Sequence, residues 1–366
     1  MTNPPELVWD VGTAYDLFIS LYTLHHPKDF ALRGAWAVGV RSRLPTAERE
    51  FLQEIMEFFH WPADWVYDLP APKDAQTAID VLAETPSAQR VPALHKTDPN
   101  TAWGQVLLNI LHKESWTEQA EAQLQRISAE EQVNLGKKPQ RNDFRPWLKW
   151  WAQSAEFGER YLSALQEYHQ SFFAEDERRI RPALTAALTH AQNLADTLSL
   201  THLLEELSQG VKFEEPPQTK KLILAPSYWG SPLLFYGMHS KEHQIILFGG
   251  RPATASIVPG ELIPDALFNS LKALADPTRL RILRYLIAEP LTPTELAARL
   301  RLRAPTVVHH LHTLRLARLV HLKFSVEGKK YQARREAVAH TYELLNSFLD
   351  DDSLVDLGVG EEESGE

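Results

Sequence analysis

The chain has 366 residues, 44% of them hydrophobic and 23% charged, proportions of ordinary folded protein with enough length for two or three domains. It contains no cysteine, which excludes disulfides, thiol catalysis and thiolate metal sites and fits a reducing compartment. No apolar run approaches a membrane span and the first residues lack a charged-then-apolar leader pattern, so we expect a cytosolic protein with no membrane partner.

Leu7-Val8-Trp9, followed by Ala14, Leu17-Phe18 and Leu21-Tyr22, predicts a mixed opening and then a helix. Ala31-Leu32, Ala35-Trp36 and Val40 predict a second helix. A third starts at Pro45-Thr46-Ala47-Glu48-Arg49 and runs through Phe51-Leu52, Ile55 and Phe58-Phe59 to His60-Trp61-Pro62. Pro70, Pro72, Pro86, Pro92 and Pro99 punctuate loops and short helices ahead of one more helix over Trp103–Leu111. His25, His26, His60, His95 and His112 lack metal-protease spacing and read as loop and core histidines. Trp61 with Trp65, and Trp147 with Trp150 and Trp151, sit at helical spacings. Core packing accounts for them, with a pocket walled by indoles as the alternative.

From Phe144 to Leu207 the pattern is helical, with Glu156–Phe173 and Pro182–Leu207 expected as two long helices packed as a hairpin. Gln209–Lys221, with Glu214-Glu215-Pro216-Pro217, reads as a connection. The period then changes. Leu222-Ile223-Leu224-Ala225, Leu233-Leu234-Phe235-Tyr236 and Gln244-Ile245-Ile246-Leu247-Phe248 are β-type runs expected to form a small antiparallel sheet. No phosphate-binding loop, dinucleotide fingerprint, nucleophile elbow or zinc-protease helix is present, so we expect neither an enzyme nor a cofactor.

The last quarter is the most informative stretch. Asp276 as N-cap with Pro277 at the first helical position ends one helix and begins another, whose apolar stripe is Leu280, Leu283 and Leu286-Ile287. Thr292, Pro293 and Glu295 repeat the logic as a capping box ahead of Leu296, Ala297 and Leu300. Pro305 opens a further helix in which Val307, Leu311 and Leu314 face the core while Pro305, Thr306, His309, His312 and Thr313 face outward. Val320, Leu322 and Phe324 alternate with His321, Lys323 and Ser325, Glu327-Gly328 turns, and Lys329-Lys330-Tyr331-Gln332 returns as a second strand. This is the order of a winged helix-turn-helix, which places its second helix in the major groove of double-stranded DNA. Thr306 and His309 are the candidates for base edges, with Val308 and His310 flanking; Arg301, Arg303 and Arg315, and Lys329 and Lys330 at the hairpin tip, are candidates for phosphates. Between Glu261 and Leu349 there are 14 Lys and Arg against 8 Asp and Glu. The rest of the chain therefore carries a net −16, and basic charge is concentrated where the motif lies.

Ala273-Leu274-Ala275-Asp276-Pro277-Thr278-Arg279-Leu280-Arg281-Ile282-Leu283, Leu296-Ala297, Thr306–Leu314 and Ala317-Arg318-Leu319-Val320 together resemble the ArsR (SmtB) family of bacterial transcriptional repressors, over about residues 261–349. The resemblance implies a homodimer joined through helices at Ala266–Ala275 and Arg335–Phe348 and bound to a roughly palindromic operator. The family's usual serines are replaced by Pro305 and Val308, and Arg318 stands where a glycine is usual. Zinc sensors of the family carry paired carboxylates and histidines on the last helix. Here only His340 with Glu343 matches, and it reads as a solvated helix face rather than a metal site.

The expected fold is therefore mainly α with small β elements. A mostly helical domain spans residues 1–250, a linker 251–260, an ArsR-like winged helix 261–349 and an acidic, disordered tail 350–366. The expected function is a sequence-specific, dimeric DNA-binding repressor controlled by a small-molecule effector at the amino-terminal domain. The alternative is an enzyme or interaction protein with the winged helix as a regulatory or docking module.

Overall fold

A computed structural model describes residues 4–59, 61–134, 139–213, 217–236, 243–325 and 328–350. The expectations for His60, Glu214-Glu215-Pro216, Glu327 and the tail from residue 351 lie outside the described residues. The fold is mainly α with small β elements, as expected, and divides into two compact units that alternate along the sequence. The first comprises Met1–Leu188, Gln218–Gly230 and Leu234–Gly250; the second comprises Thr189–Pro217, Ser231–Leu233 and Arg251–Glu366. No described helix is long and apolar enough to cross a membrane.

The first unit opens with β1 (Glu6–Trp9) and α1 (Thr13–His25), followed by α2 (Gly34–Arg41), α3 (Thr46–Ile55), α4 (Ala63–Tyr67), α5 (Ala75–Glu84) and α6 (Ser87–Leu94). It continues with α7 (Ala102–Lys113), α8 (Glu118–Asn134), α9 (Arg145–Ala152) and α10 (Ser154–Tyr168). A π-helical turn, His169–Phe173, leads directly into α11 (Ala174–Ala195). The expected hairpin of Glu156–Phe173 and Pro182–Leu207 is therefore not formed. Pro182 lies inside α11, and the break falls instead ahead of α12 (Leu200–Ser208). The π turn re-registers the backbone within one helical run, a device that hydrophobic spacing does not signal.

α12 and β2 (Val211–Lys212) belong to the second unit, and the chain then gives β3 (Lys221–Ser227), β4 (Phe235–Tyr236) and β5 (His243–Gly249) to the first. The strand order is β1-β3-β5-β4. β1, β3 and β5 run parallel and only β4 is antiparallel, which corrects the expected antiparallel sheet. Leu222 to Ala225 and Ile245 to Phe248 are all buried, the continuous apolar run of a parallel strand covered on both faces. Gly12 permits the entry into α1, because a Cβ there would lie 2.4 Å from the Lys73 carbonyl oxygen. Trp65 is buried, whereas Trp61 and Trp147 are half-buried. Trp150 and Trp151 are buried, and Trp150 donates its Nε1–H to Glu54 at 3.1 Å. His25 and His26 bond to helix carbonyls, and His95 packs against Phe59, Trp147 and Trp151.

The second unit continues with α13 (Asp265–Leu274), α14 (Pro277–Ala288), α15 (Pro293–Leu300), α16 (Ala304–Leu316), β6 (Val320–Ser325), β7 (Gly328–Ala333) and α17 (Arg335–Leu349). Ile282, Leu286, Leu296, Val307, Leu311, Leu314 and Leu319 form its core. Leu280 and Ile287 are exposed, so Ile282 takes the place expected for Leu280 in the buried stripe of α14. Part of the expected connection at 209–221 is also a strand, since β2 pairs parallel with β6 through Val211↔Leu322 and Lys212↔Lys323. That extra strand brings α12 against the hairpin. His321, which alternates with Val320 and Leu322 along β6, is also buried, between Glu205 and Glu336. Burial, with Lys212 and Arg334 close by, pushes its imidazole down to about 4.

Candidate nucleic-acid interface

Local chemistry sets each helix boundary of the second unit. The Asp276 carboxylate accepts the Arg279 N–H at 2.8 Å, and this bond holds the carboxyl below its ordinary range. Thr292 and Glu295 close a reciprocal capping box, with Thr292 N–H to Glu295 at 2.7 Å and Glu295 N–H to Thr292 at 3.2 Å. Asp276→Ala is expected to lower the urea-unfolding free energy at pH 7 by about 1 kcal/mol, the ordinary loss for an N-cap. The deficit should vanish in acid, once the carboxylate that makes the cap is protonated.

α16 presents the proposed reading face. Val307, Leu311 and Leu314 are buried, whereas Thr306, Val308 and His309 are exposed on its first two turns. The geometry does not group His310 with them. Its imidazole is half-buried with Nδ1 4.0 Å from Asp276, and burial lowers its pKa. Arg301 and Arg303 are exposed ahead of the helix, Arg315 is half-buried near its end, Lys329 is exposed and Lys330 is half-buried on β7. β6 and β7 pair in register from Val320↔Ala333 to Ser325↔Gly328. Leu291 adds a short bridge to Tyr331 through bonds of 3.0 and 2.8 Å.

The carboxyl end of α16 is closed by a Schellman motif. The Leu319 N–H reaches the Leu314 carbonyl and the Arg318 N–H reaches the Arg315 carbonyl, each at 2.9 Å. Arg318 occupies the left-handed position of that motif at φ +58°, where a side chain costs about 1 kcal/mol that glycine avoids. Burial and the neighbouring Arg251 and Arg334 guanidiniums push its own guanidinium down to about 9.

Residues 274–323 match the model of a helix-turn-helix domain. The chain carries a helix-turn-helix domain. The match takes in α14, α15 and α16 and reaches into β6. No curated protein matches the chain. Among the described residues, no group of three or more His, Asp or Glu side chains has the makings of a metal site. His340 and Glu343 meet at 3.2 Å on the exposed face of α17.

Sequence reasoning missed a group of buried charges in the first unit. Asp16, in the first turn of α1, accepts from Ser227 Oγ at 2.6 Å, Tyr228 N–H at 3.0 Å and Trp229 N–H at 2.9 Å. Burial raises its carboxyl to about 6 against these bonds. Asp176 accepts from the Trp229 indole at 2.6 Å and pairs with Arg179 at 2.5 Å. Glu177 accepts from the Thr13 hydroxyl and from the Ala75 N–H at 3.0 Å. Burial raises its pKa, but bonds from His169, Ala75 and Thr13 outweigh that and hold the carboxyl near about 2. The three acids lie beyond the carboxyl ends of β1 and β3 and beside the π turn. Only their distance in sequence hid them.

Proposed function

We propose that the protein is a sequence-specific, double-stranded-DNA-binding transcriptional regulator of the ArsR (SmtB) type. In this reading it acts in the cytosol as a dimeric repressor, with no catalytic step of its own, and the first unit receives a small-molecule effector. The observation that carries the DNA reading is α16, whose apolar face is seated in the core while Thr306, Val308 and His309 stand free at its amino-terminal end. Base-edge contacts come from that end in helices of this kind.

A C2 dimer through α13 and α17 is supported by apolar side chains that a monomer leaves in water. Phe268 and Leu271 on α13 are exposed, as are Tyr342 (61%) and Leu349 (70%) on α17. Such a dimer sets two recognition helices about 34 Å apart, one turn of DNA. Effector control is supported by the buried acids at the carboxyl edge of the parallel strands, the edge at which open parallel sheets bind ligands.

Fluorescence anisotropy of the full-length protein tests the reading, on DNA from its own upstream region and on random DNA across ~50–300 mM salt. The expected result is a preference for the upstream DNA with a steep salt slope. A folded dimer that binds neither DNA would overturn it.

A further inference from the structure

The cleft at the carboxyl end of α16 holds more positive than negative charge. It is lined by Arg251 and Ala255, by Asp265, Ala266 and Asn269 of α13, and by Arg318 at the end of α16, all within the second unit. Arg251 is buried and already engaged, donating to the Ser231 carbonyl at 2.9 Å and pairing with Asp265 at 3.4 Å. Asp265 is shared further, because its carboxylate also accepts the Ile257 N–H at 2.7 Å. The third guanidinium nearby, Arg334, pairs with Glu336 at 3.1 Å and donates to the Gln209 carbonyl at 2.7 Å. Among the described residues, no hydrogen bond or ion pair reaches the Arg318 guanidinium. One carboxylate thus faces two guanidiniums in the cleft.

Two further groups lie at the cleft. α13 begins there with no side-chain cap, and the positive end of its dipole is partly offset by Asp265 in its first turn. The Asn269 amide lines the same wall. The enclosed space is about 10 Å³, room for little more than one water-sized atom. A ligand would therefore insert the edge of one oxyanion group and leave its remainder in the mouth. A guanidinium presents donors in a planar fork that suits such an edge.

We propose that Arg318, with Arg251 and Asn269, binds the carboxylate or phosphate group of a small anionic ligand at the carboxyl end of the recognition helix. This site is separate from the one suggested for the first unit. Its ligand would touch the residue directly after α16, so its occupancy bears on how that helix is held. Only that consequence depends on the regulator reading; the binding itself does not.

The test uses the full-length protein, inorganic phosphate as probe, and chloride at matched ionic strength as control. Arg318→Gly is the variant, because glycine takes φ +58° without strain and should leave the fold intact. Phosphate is expected to raise the thermal midpoint of the wild type above the chloride control, and Arg318→Gly should lose that rise. Arg318→Lys, which keeps a charge but not the fork, should retain only part of it. Equal rises in the wild type and Arg318→Gly, or none in either, would overturn the proposal. A DNA arm separates a free anion from a backbone phosphate. If the wild type shows no phosphate-specific rise while Arg318→Gly flattens the salt slope by about one on upstream and random DNA alike, Arg318 serves a DNA phosphate and the site is not one for a free ligand.

Discussion

Asp16→Ala is expected to destabilise the first unit by about 3–5 kcal/mol. The substitution leaves the N–H groups of Tyr228 and Trp229 buried with no acceptor, and each orphaned donor costs about 1–3 kcal/mol. The Ser227 hydroxyl also donates to Asp16 and in turn accepts the Gly230 N–H at 2.9 Å, so the whole turn after β3 loses its anchor. The loss should depend on pH, and its sign follows from the direction of the shift. Burial raises the folded-state carboxyl from 3.8 to about 6, so the folded protein holds this proton more tightly than the unfolded chain. Asp16 thus contributes most below the unfolded value, and its contribution falls as pH rises between roughly 4 and 6, by about 3 kcal/mol at most. Urea melts of the wild type and variant at pH 4.5 and 7.5 read this directly. The deficit of Asp16→Ala should be larger at the lower pH. A deficit independent of pH would mean that Asp16 is ionised alike in both states.

That carboxylate also marks where sequence reading runs out. Helix caps are local, and Asp276, Thr292 and Glu295 act as the sequence predicts because each bond spans three residues. The same holds for Val307, Leu311 and Leu314, whose spacing fixes a buried face wherever the helix goes. Asp16 meets Trp229 across 213 positions, and nothing within one element marks such a partner. Strand direction failed for the same reason. Leu222–Ala225 reads as a strand by itself, but its parallel neighbours are Leu7–Trp9 and Gln244–Leu247, one of them far upstream. Alternation along β6 sets His321 on the face opposite Val320 and Leu322, whereas β2 and α12 decide whether that face meets water. Arg318 lies between these cases. A side chain where glycine is usual is legible in sequence, although the cleft it enters is not.

Thr306→Ala and His309→Ala should each weaken binding to the upstream DNA by about 1–3 kcal/mol, the worth of a good base contact, which is roughly 5- to 150-fold in the dissociation constant. Binding to random DNA should change little. The prediction separates recognition from folding, because both residues are exposed and α16 has no side-chain cap to lose. A stability defect in either variant would therefore be unexpected, and a urea melt alongside the anisotropy detects it. Lys329→Ala supplies the contrast. An exposed cation on β7 suits a phosphate, so its loss should weaken upstream and random DNA together and reduce the salt slope by about one. His310 divides the readings further. Half-buried and turned toward Asp276, it should affect stability when replaced by alanine and leave the ratio of specific to random binding unchanged. Equal losses on both DNAs for Thr306, His309 and Lys329 would mean that α16 meets only backbone, and the reading face would have to be sought elsewhere in the second unit.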